Sequence, residues 1–321
     1  MPAIDMPLEQ LKTYQGTNPK PADFDAFWDR SLKELDAIDP KVELTPAPFF
    51  SSIADAYHLT FTSTKGARIY AKLLKPKHIN EKAPAILLFH GLSGASRDWM
   101  SMLSYVAEGF VVAALDTRGQ GGFSEDVGGV RGTSYTTPFM RGFDGKPEDL
   151  LCRDLFLDTA KLAHVVMAFD DVDETRVAAH GSSQGGGLSI ACAALVPEIA
   201  LCVPLLPYMS DYMRVWNMDL DVGAYEGIRY YLRAFDPLHE HIDEFFKKLG
   251  YIDIQHLAPR IRAKVLMGTG LMDNTCPPST QFAAYNKMNT EKSILIYPDF
   301  GHEMITGLDD IVFAFLCELK K

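Results

Sequence analysis

The stretch of sequence that decides the fold is residues 175–195, TRVAAHGSSQGGGLSIACAAL, with Gly181-Ser182-Ser183-Gln184-Gly185 at its centre. An apolar run before these five residues predicts a buried strand, and the small residues after them predict a helix. Glycines two positions away on either side of Ser183 allow a turn so sharp that the central residue is strained. The pattern predicts that Ser183 presents its hydroxyl at the carboxyl end of a central strand, under the positive end of a helix. An ordinary Gly/Ser-rich connection remains the alternative.

The composition is that of a globular protein, with 321 residues of which 47% are hydrophobic and 23% charged. This length suits a single large α/β unit with insertions. The net charge of −11 disfavours nucleic-acid and anionic-membrane partners. No segment reaches the roughly 18 apolar residues that span a bilayer. Five scattered cysteines without a Cys-x-x-Cys pair, and no recognisable secretory signal, predict a cytoplasmic protein with reduced thiols.

Buried strands alternate with helical stretches from residue 85 onward, which predicts a mostly parallel sheet covered by helices on both faces. The candidate strands are 85–89, 111–115, 176–180, 201–206, 264–268 and 293–297, and the candidate helices are 98–107, 149–169, 185–195 and 279–289. An antiparallel hairpin over 57–62 and 68–74 is expected to extend one edge of this sheet. Together with the sharp turn at Ser183, this order predicts the α/β-hydrolase fold.

Three segments depart from the alternation within what we interpret as one domain, residues 1–321. Residues 1–40 form an N-terminal helical extension in which aromatic residues recur at helical spacing. Residues 117–148 are glycine-rich and predict a long functional or interface loop. Residues 208–258 predict helices inserted between two strands as a cap over the site. The aromatic side chains of 208–230 either stack on sugar rings or, as is more common, pack in a core or interface.

A serine nucleophile needs a base and an orienting acid, which follow it in the chain order of this fold. Asp273 follows the strand 264–268, and His302 follows the strand 293–297. Because the carboxyl ends of adjacent parallel strands converge, Ser183, His302 and Asp273 are expected to meet as nucleophile, general base and acid, and orienting carboxylate. Asp299 is the competing acid, although an aspartate after a proline favours a turn.

The predicted oxyanion hole consists of two backbone N–H groups, one from Gln184 and one from Leu92 in the loop after the strand 85–89. His90, which ends that strand, is expected to help shape the loop. The sequence contains no set of ligands at metal spacing and no phosphate-binding glycine pattern, so neither a metal nor a cofactor is predicted. Ser183, Asp273 and His302 occur in the expected chain order, together with a suitable loop after the strand 85–89. This combination indicates a serine hydrolase.

With these residues in place, the chain resembles carbohydrate esterase family seven, the acetyl xylan esterases and cephalosporin-C deacetylases. The resemblance extends over nearly the whole chain, and its motifs are Arg118-Gly119-Gln120-Gly121, Gly181-Ser182-Ser183-Gln184-Gly185 and His302-Glu303. It implies removal of acetyl groups from small O-acetylated substrates such as xylo-oligosaccharides and cephalosporin C. It also implies a ring-shaped homohexamer with internal active sites, and structural roles for Arg118 and Gln120. Leu92 departs from the family, in which an aromatic residue is common at this position.

Two other functions fit the same residues. One is a different short-chain carboxylesterase or an acyl transferase, such as a perhydrolase, that uses the same triad. The other is a non-catalytic α/β-hydrolase scaffold that serves as a binding module, against which the complete Ser-Asp-His set speaks. The range of acyl chains accepted by the protein separates the first from an acetyl esterase.

Overall fold

The computed structural model describes residues 4–78, 81–127 and 137–321. Within them, nine strands form one sheet in the order β1-β2-β3-β5-β4-β6-β7-β8-β9. The strands are β1 Glu43–Pro46, β2 Ala54–Thr62, β3 Arg68–Pro76, β4 Ala83–Phe89, β5 Val111–Leu115, β6 Val172–Ser182, β7 Leu201–Leu205, β8 Lys264–Gly270 and β9 Lys292–Tyr297.

The sheet is parallel from β5 across to β9, whereas β1, β2 and β3 join its edge in antiparallel pairs. Strands β4, β5 and β7 are buried along their whole length, as expected for parallel strands covered on both faces. The order of the parallel strands reverses at β4, which lies between β5 and β6. Ligands of open α/β sheets bind at the carboxyl ends of strands on either side of such a reversal.

Helices cover both faces of the sheet. They are α1 Leu8–Leu11, α2 Phe24–Asp36, α3 Leu103–Ala107, α4 Leu151–Met167, α5 Gln184–Leu195, α6 Tyr212–Asn217, α7 Gly227–Phe235, α8 Ile242–Leu249, α9 Ile254–Leu257, α10 Pro278–Lys287 and α11 Leu308–Leu316. One core joins the sheet to α2, α4, α5 and the helices after β7, and a second core joins the other face to α3 and α11. This mixed sheet with two helical layers confirms the predicted fold class.

The core on the first face includes the aromatic residues of the N-terminal segment. Phe24, Phe27 and Trp28 on α2 are fully buried, and the Trp28 ring stacks on Phe156 of α4 at 5.8 Å between centroids. Truncation of a buried aromatic residue of this size typically costs about 3–5 kcal/mol of stability. The N-terminal segment is therefore part of the packed body.

The predicted strands and helices all occur, with boundaries that differ by a few residues. Strand β6 begins at Val172, four residues earlier than predicted, and β1 was not predicted. Residues 99–107 begin as a 3-10 turn, Trp99–Met102, before α3. The predicted loop 117–148 contains two further 3-10 turns, Pro138–Met140 and Pro147–Asp149, and its residues 128–136 lie outside the described part of the chain.

The insertion after β7 consists of α6 to α9, as the sequence predicts for 208–258. Its residues Tyr208, Tyr212 and Tyr225 are buried and pack around Phe139 at centroid distances of 5.1–6.4 Å. These three rings are thus part of the core and are not available to stack on a sugar. The role of the insertion as a cap stays a prediction.

Within the described residues, no helix combines the length and the apolar character needed to cross a membrane.

Candidate active site

Ser183 lies between the end of β6 and the start of α5 with φ 58° and ψ −121°, a conformation that side-chain-bearing residues rarely adopt. Its backbone is held by three hydrogen bonds: its N–H donates to the Leu205 carbonyl at 2.9 Å, and its carbonyl accepts from Gly187 and Tyr208. A Cβ on Gly185 would lie 2.1 Å from the Phe89 carbonyl oxygen. Position 185 therefore requires a glycine, because α5 approaches β4 closely there.

His302 and Asp273 complete a chain of hydrogen bonds that begins at Ser183. The Ser183 hydroxyl lies 2.8 Å from Nε2 of His302, and Nδ1 of His302 lies 2.8 Å from Oδ2 of Asp273. A carboxylate only accepts, so Nδ1 carries the proton and Nε2 is left to accept from the serine hydroxyl. The predicted residues thus meet, with the imidazole in the tautomer that a general base needs.

Asp273 is fully buried and its carboxylate is held from several sides. Oδ1 accepts from the backbone N–H groups of Thr275 and Cys276 at 2.9 and 2.7 Å. Oδ2 accepts from Nε2 of Gln281 at 3.1 Å in addition to His302. These donors leave the carboxylate no freedom to rotate away from the imidazole.

Asp299, the alternative acid, lies elsewhere. Its side chain is exposed, and among the described residues it has no hydrogen bond or ion pair to His302. The structure brings Asp273, and not Asp299, to the histidine.

The two predicted oxyanion donors lie on either side of the strand reversal. The backbone N–H of Gln184 belongs to the first turn of α5, where no helical acceptor is available. The loop containing Leu92 follows β4 and approaches the nucleophile, since a Cβ on Gly91 would lie 3.9 Å from Cβ of Ser183. Neither of these two N–H groups has an acceptor within the described ranges. Both are free to bind a developing oxyanion.

Gln120 joins the two sides of this predicted oxyanion hole. Its side-chain oxygen accepts from the backbone N–H of Ser93 at 2.8 Å and from Nε2 of Gln184 at 3.0 Å. Its side-chain nitrogen donates to Oε1 of Gln184 at 2.7 Å. A single amide thereby fixes the loop after β4 relative to the start of α5.

His90 also holds this loop in place, through hydrogen bonds at both ring nitrogens. Nδ1 donates to the Gly91 carbonyl at 2.7 Å, so Nε2 is the acceptor for the Thr117 N–H at 2.9 Å. Burial lowers the pKa of His90, which keeps the imidazole in this neutral form.

Arg118 is fully buried and forms a bidentate ion pair with Asp158 of α4, with both N–O distances at 2.6 Å. Its Nη2 also donates to the hydroxyl of Thr64 at 3.2 Å. Burial alone would lower the pKa of Arg118, but Asp158 beside it raises that pKa. The guanidinium ties the loop after β5 to α4 and does not face Ser183.

A third potential metal ligand, the thiol of Cys276, lies next to Asp273 and His302. Ligand atoms of the three residues lie within 4.8 Å of one another. Burial raises the pKa of the Cys276 thiol well above its usual value, and the proton of His302 Nδ1 is already bound by Asp273. A metal ion here would have to displace both protons, so the donor set favours the hydrogen-bonded pair.

Sequence reasoning missed the contacts that position the predicted residues. The bonds from Thr275 and Cys276 to Asp273 have a local signal, because an aspartate often accepts from N–H groups two and three residues later. The pairing of Gln120 with Gln184 spans 64 residues and has no such local signal.

The sheet is mostly parallel, a serine lies at the turn from β6 to α5, and an aspartate and a histidine follow β8 and β9. This arrangement defines an α/β-hydrolase. The comparison with protein families is more specific. The acetyl xylan esterase (AXE1) family model matches residues 1–319. The chain therefore belongs to the acetyl xylan esterase family, which confirms the resemblance drawn from its motifs and its class as a carboxylic ester hydrolase.

Individual relatives agree with this assignment. The chain is 52% identical to acetyl xylan esterase 1 from Thermoanaerobacterium sp. JW/SL YS485, with a TM-score of 0.98 and coverage of 99% of this chain and 100% of that one. It is 29% identical to the acetyl xylan esterase from Paenibacillus sp. R4, with a TM-score of 0.92 and coverage of 97% and 99%.

A third relative is the acetyl esterase Axe7A of Xylanibacter ruminicola, to which the chain is 27% identical over 303 residues. That alignment covers 92% of this chain, and the chain spans 65% of the length of the relative.

Proposed function

We propose that this protein is a serine esterase that removes acetyl groups from small O-acetylated sugars through an acyl-enzyme intermediate. The observation that carries the proposal is the hydrogen-bonded series Ser183–His302–Asp273 at the strand reversal, with two unpaired N–H groups beside it. Membership of the acetyl xylan esterase family supports acetyl as the acyl group and an acetylated xylo-oligosaccharide as the substrate.

In the first half-reaction, Oγ of Ser183 attacks the acetyl carbonyl carbon while its proton passes to Nε2 of His302. The carbonyl oxygen becomes an oxyanion and accepts from the N–H groups of Gln184 and Leu92. The bond from carbon to the sugar oxygen then breaks, and His302 returns the proton to that oxygen. The sugar leaves with a free hydroxyl, and the acetyl group stays as an ester of Ser183.

In the second half-reaction, a water molecule attacks the acetyl ester and gives a proton to His302. The bond to Oγ breaks, the proton on His302 returns to Ser183, and acetic acid leaves and loses its own proton to solvent to give acetate. Asp273 keeps its negative charge throughout, holding the Nδ1 proton and stabilising the imidazolium of each half-reaction. Its burial makes this interaction stronger than it would be in water.

The finer predictions from the resemblance extend this proposal. We propose that cephalosporin C is also accepted, and that the protein assembles as a homohexamer. We also propose a cytoplasmic location, because all five cysteines are free thiols, as is usual in a reducing compartment. The mass of the purified protein by size-exclusion chromatography with light scattering tests the hexamer.

The function is tested by measuring acetate release from acetylated xylose, acetylated xylobiose and cephalosporin C, together with 4-nitrophenyl esters of acetate and octanoate. We expect release from the acetylated substrates, a strong preference for acetate over octanoate, and a fall in kcat of roughly 10⁴-fold or more in Ser183→Ala.

Equal rates on the acetyl and octanoyl esters would contradict the acetyl preference and favour a broader carboxylesterase. Transfer to hydrogen peroxide faster than to water would favour a perhydrolase. No release from any ester, with Ser183→Ala indistinguishable from the parent, would leave only the non-catalytic scaffold.

A further inference from the structure

A cavity of about 520 Å³ opens beside His302, and we call it the inner cavity. Its walls include His302 itself, Ser182, Arg97 and Asp309, over an apolar floor to which Leu308 contributes. This volume falls in the range of roughly 300–1,000 Å³ that is usual for small-molecule sites. The mechanism above uses only His302 from these walls, so the function of the cavity is open.

A second cavity of about 360 Å³, the outer cavity, adjoins the inner one. Arg97 and Asp309 line both cavities, so the two cavities share part of their walls. The outer cavity also contains Tyr105 and Phe313, whose ring centroids are 5.5 Å apart, and it reaches His180. Together the two cavities lead from the imidazole of His302 toward α11 and α3.

The direction of the reaction determines which part of a substrate faces these cavities. The acetyl oxygen must point to the N–H groups of Gln184 and Leu92, whereas the sugar oxygen must receive its proton from Nε2 of His302. The sugar therefore leaves from the histidine side of Ser183. The inner cavity is lined by that histidine and by Ser182, the residue before the nucleophile.

The polar groups along the two cavities are available to a ligand. Among the residues that the structure describes, neither the guanidinium of Arg97 nor the carboxylate of Asp309 has a hydrogen bond or ion pair. His180 is 97% buried, and its Nδ1 donates to the Val203 carbonyl at 2.9 Å. Its Nε2 is therefore an acceptor, and no donor in the described ranges occupies it.

These groups match the chemistry of a sugar. A guanidinium only donates, whereas a carboxylate and Nε2 of a neutral histidine only accept, and a sugar hydroxyl does both. Among the described residues that line the two cavities, Arg97 is the only arginine or lysine, whereas Glu303, Asp309 and Asp310 are acidic. The net charge of the cavity walls is therefore negative. Among sugars, a negative wall favours a neutral one over one that carries a carboxylate.

We propose that the inner and outer cavities are adjoining subsites for the leaving sugar, the inner one for the sugar unit that carries the acetyl group and the outer one for a second unit. This inference rests on the proposed esterase function. Arg97 and Asp309, which line both cavities, bind sugar hydroxyls, and Tyr105 and Phe313 contact the second sugar.

The experiment compares a substrate that fills both cavities with one that lacks a sugar. Acetylated xylobiose is the first, acetylated xylose fills the inner cavity alone, and 4-nitrophenyl acetate has no sugar. We expect the parent protein to show kcat/KM values that increase from acetylated xylose to acetylated xylobiose. In Phe313→Leu this increase is expected to shrink, with 4-nitrophenyl acetate unaffected.

The charged pair is tested with Arg97→Met and Asp309→Asn. Each is expected to lower kcat/KM for acetylated xylobiose roughly tenfold or more, because a hydrogen bond to a charged group is lost. Activity on 4-nitrophenyl acetate is expected to fall much less, since its leaving group has no sugar hydroxyl that Arg97 or Asp309 could bind. Arg233→Met and Asp243→Asn remove the same charges from exposed positions outside both cavities and are the matched controls.

The outcomes separate this inference from the proposed function. If the parent protein releases acetate but Arg97→Met and Asp309→Asn lower both substrates equally, or lower neither, the subsites are wrong. Equal losses in the control variants would also overturn them, because bulk charge would then explain the effect. If the parent protein hydrolyses no acetyl ester, the failure lies with the proposed function.

Discussion

Two buried carboxylates in this fold, Asp158 on α4 and Asp273 in the loop after β8, each bind a basic side chain but differ in what that bond does. Asp158 binds Arg118 through two N–O contacts of 2.6 Å, and both side chains are sealed from solvent. Asp273 binds His302 through one contact of 2.8 Å, and the histidine is 20% exposed. The two pairs differ in the partner of the carboxylate and in its access to the surface.

The partner decides whether the bond is structural or chemical. Arg118 has donors only, and Asp158 raises its pKa further, so it holds its protons at any working pH. His302 has one nitrogen bound to Asp273 and a second that faces Ser183, the arrangement that the proposed proton transfer requires. A buried carboxylate thus becomes part of a reaction only where its partner titrates and is open on its other side.

The largest effect is expected when the interaction between Asp273 and His302 is disrupted. In Asp273→Asn the amide no longer enforces the Nδ1–H tautomer, and we expect kcat to fall about 10⁴-fold, or about 5.5 kcal/mol, on acetyl esters. The fold is expected to persist, because the asparagine oxygen can still accept from the N–H groups of Thr275 and Cys276. Steady-state kinetics and thermal melting measure both.

Asp299→Asn is the matched control, since it removes an aspartate near His302 that does not contact it. We expect less than about a threefold change in kcat. A large loss in Asp299→Asn together with a small one in Asp273→Asn would reverse the assignment of the acid.

Disrupting the ion pair of Arg118 and Asp158 is expected to lower the stability of the protein much more than its catalytic rate. Arg118→Met leaves Asp158 buried without its cation, which typically costs about 3–5 kcal/mol in the free energy of unfolding. Urea unfolding measures this, and acetate release is then normalised to the folded fraction. A loss in kcat as large as that of Asp273→Asn, with unchanged stability, would show that the two pairs do not differ as described.

The residues of the reacting pair were predictable, whereas the contacts that hold them were only partly so. Ser183 directly follows an apolar strand, and Asp273 and His302 lie in the loops after two later strands. Their order along the chain is that expected for this fold. Strand β1 was missed because it has only four residues, ends in a proline and is exposed along its whole length. The bonds of Gln281 to Asp273 and of Gln120 to Gln184 depend on how helices and loops pack, which no local pattern encodes.

A third prediction concerns His180, a histidine that is buried like Asp273 but has no carboxylate partner among the described residues. Burial lowers the pKa of His180 to about 4, and its partner is the Val203 carbonyl. Above the ordinary pKa of 6.5, both folded and unfolded chains hold this histidine neutral. As the pH falls from 6.5 toward 4, only the unfolded chain takes up the proton, so stability is lost in that window.

The loss attributable to His180 is at most about 3 kcal/mol, and it is complete once the pH is below the folded pKa. His180→Asn keeps a donor for the Val203 carbonyl but removes the titrating ring. We therefore expect urea unfolding between pH 7 and pH 4 to show a shallower decline in the variant. Parallel declines in the two proteins would show that His180 is not neutral through burial.

The smallest effect is expected from substitution of Gln120, which leaves Ser183, His302 and Asp273 unchanged. Gln120 positions the predicted oxyanion donors by binding both Ser93 and Gln184. Gln120→Ala removes all three hydrogen bonds, and we expect kcat to fall roughly tenfold, less than when an oxyanion donor itself is lost.

Gln120→Glu distinguishes positioning from bulk stability. A glutamate oxygen still accepts from Ser93 and Gln184, but it cannot donate to the Gln184 oxygen, so two of the three bonds survive. We expect its kcat to lie between those of the parent and Gln120→Ala, with KM nearly constant in all three. If kcat instead follows the melting temperature and not the number of surviving bonds, Gln120 stabilises the loop without aligning it. The reacting pair would then owe its geometry to the backbone of α5 and the loop after β4 alone.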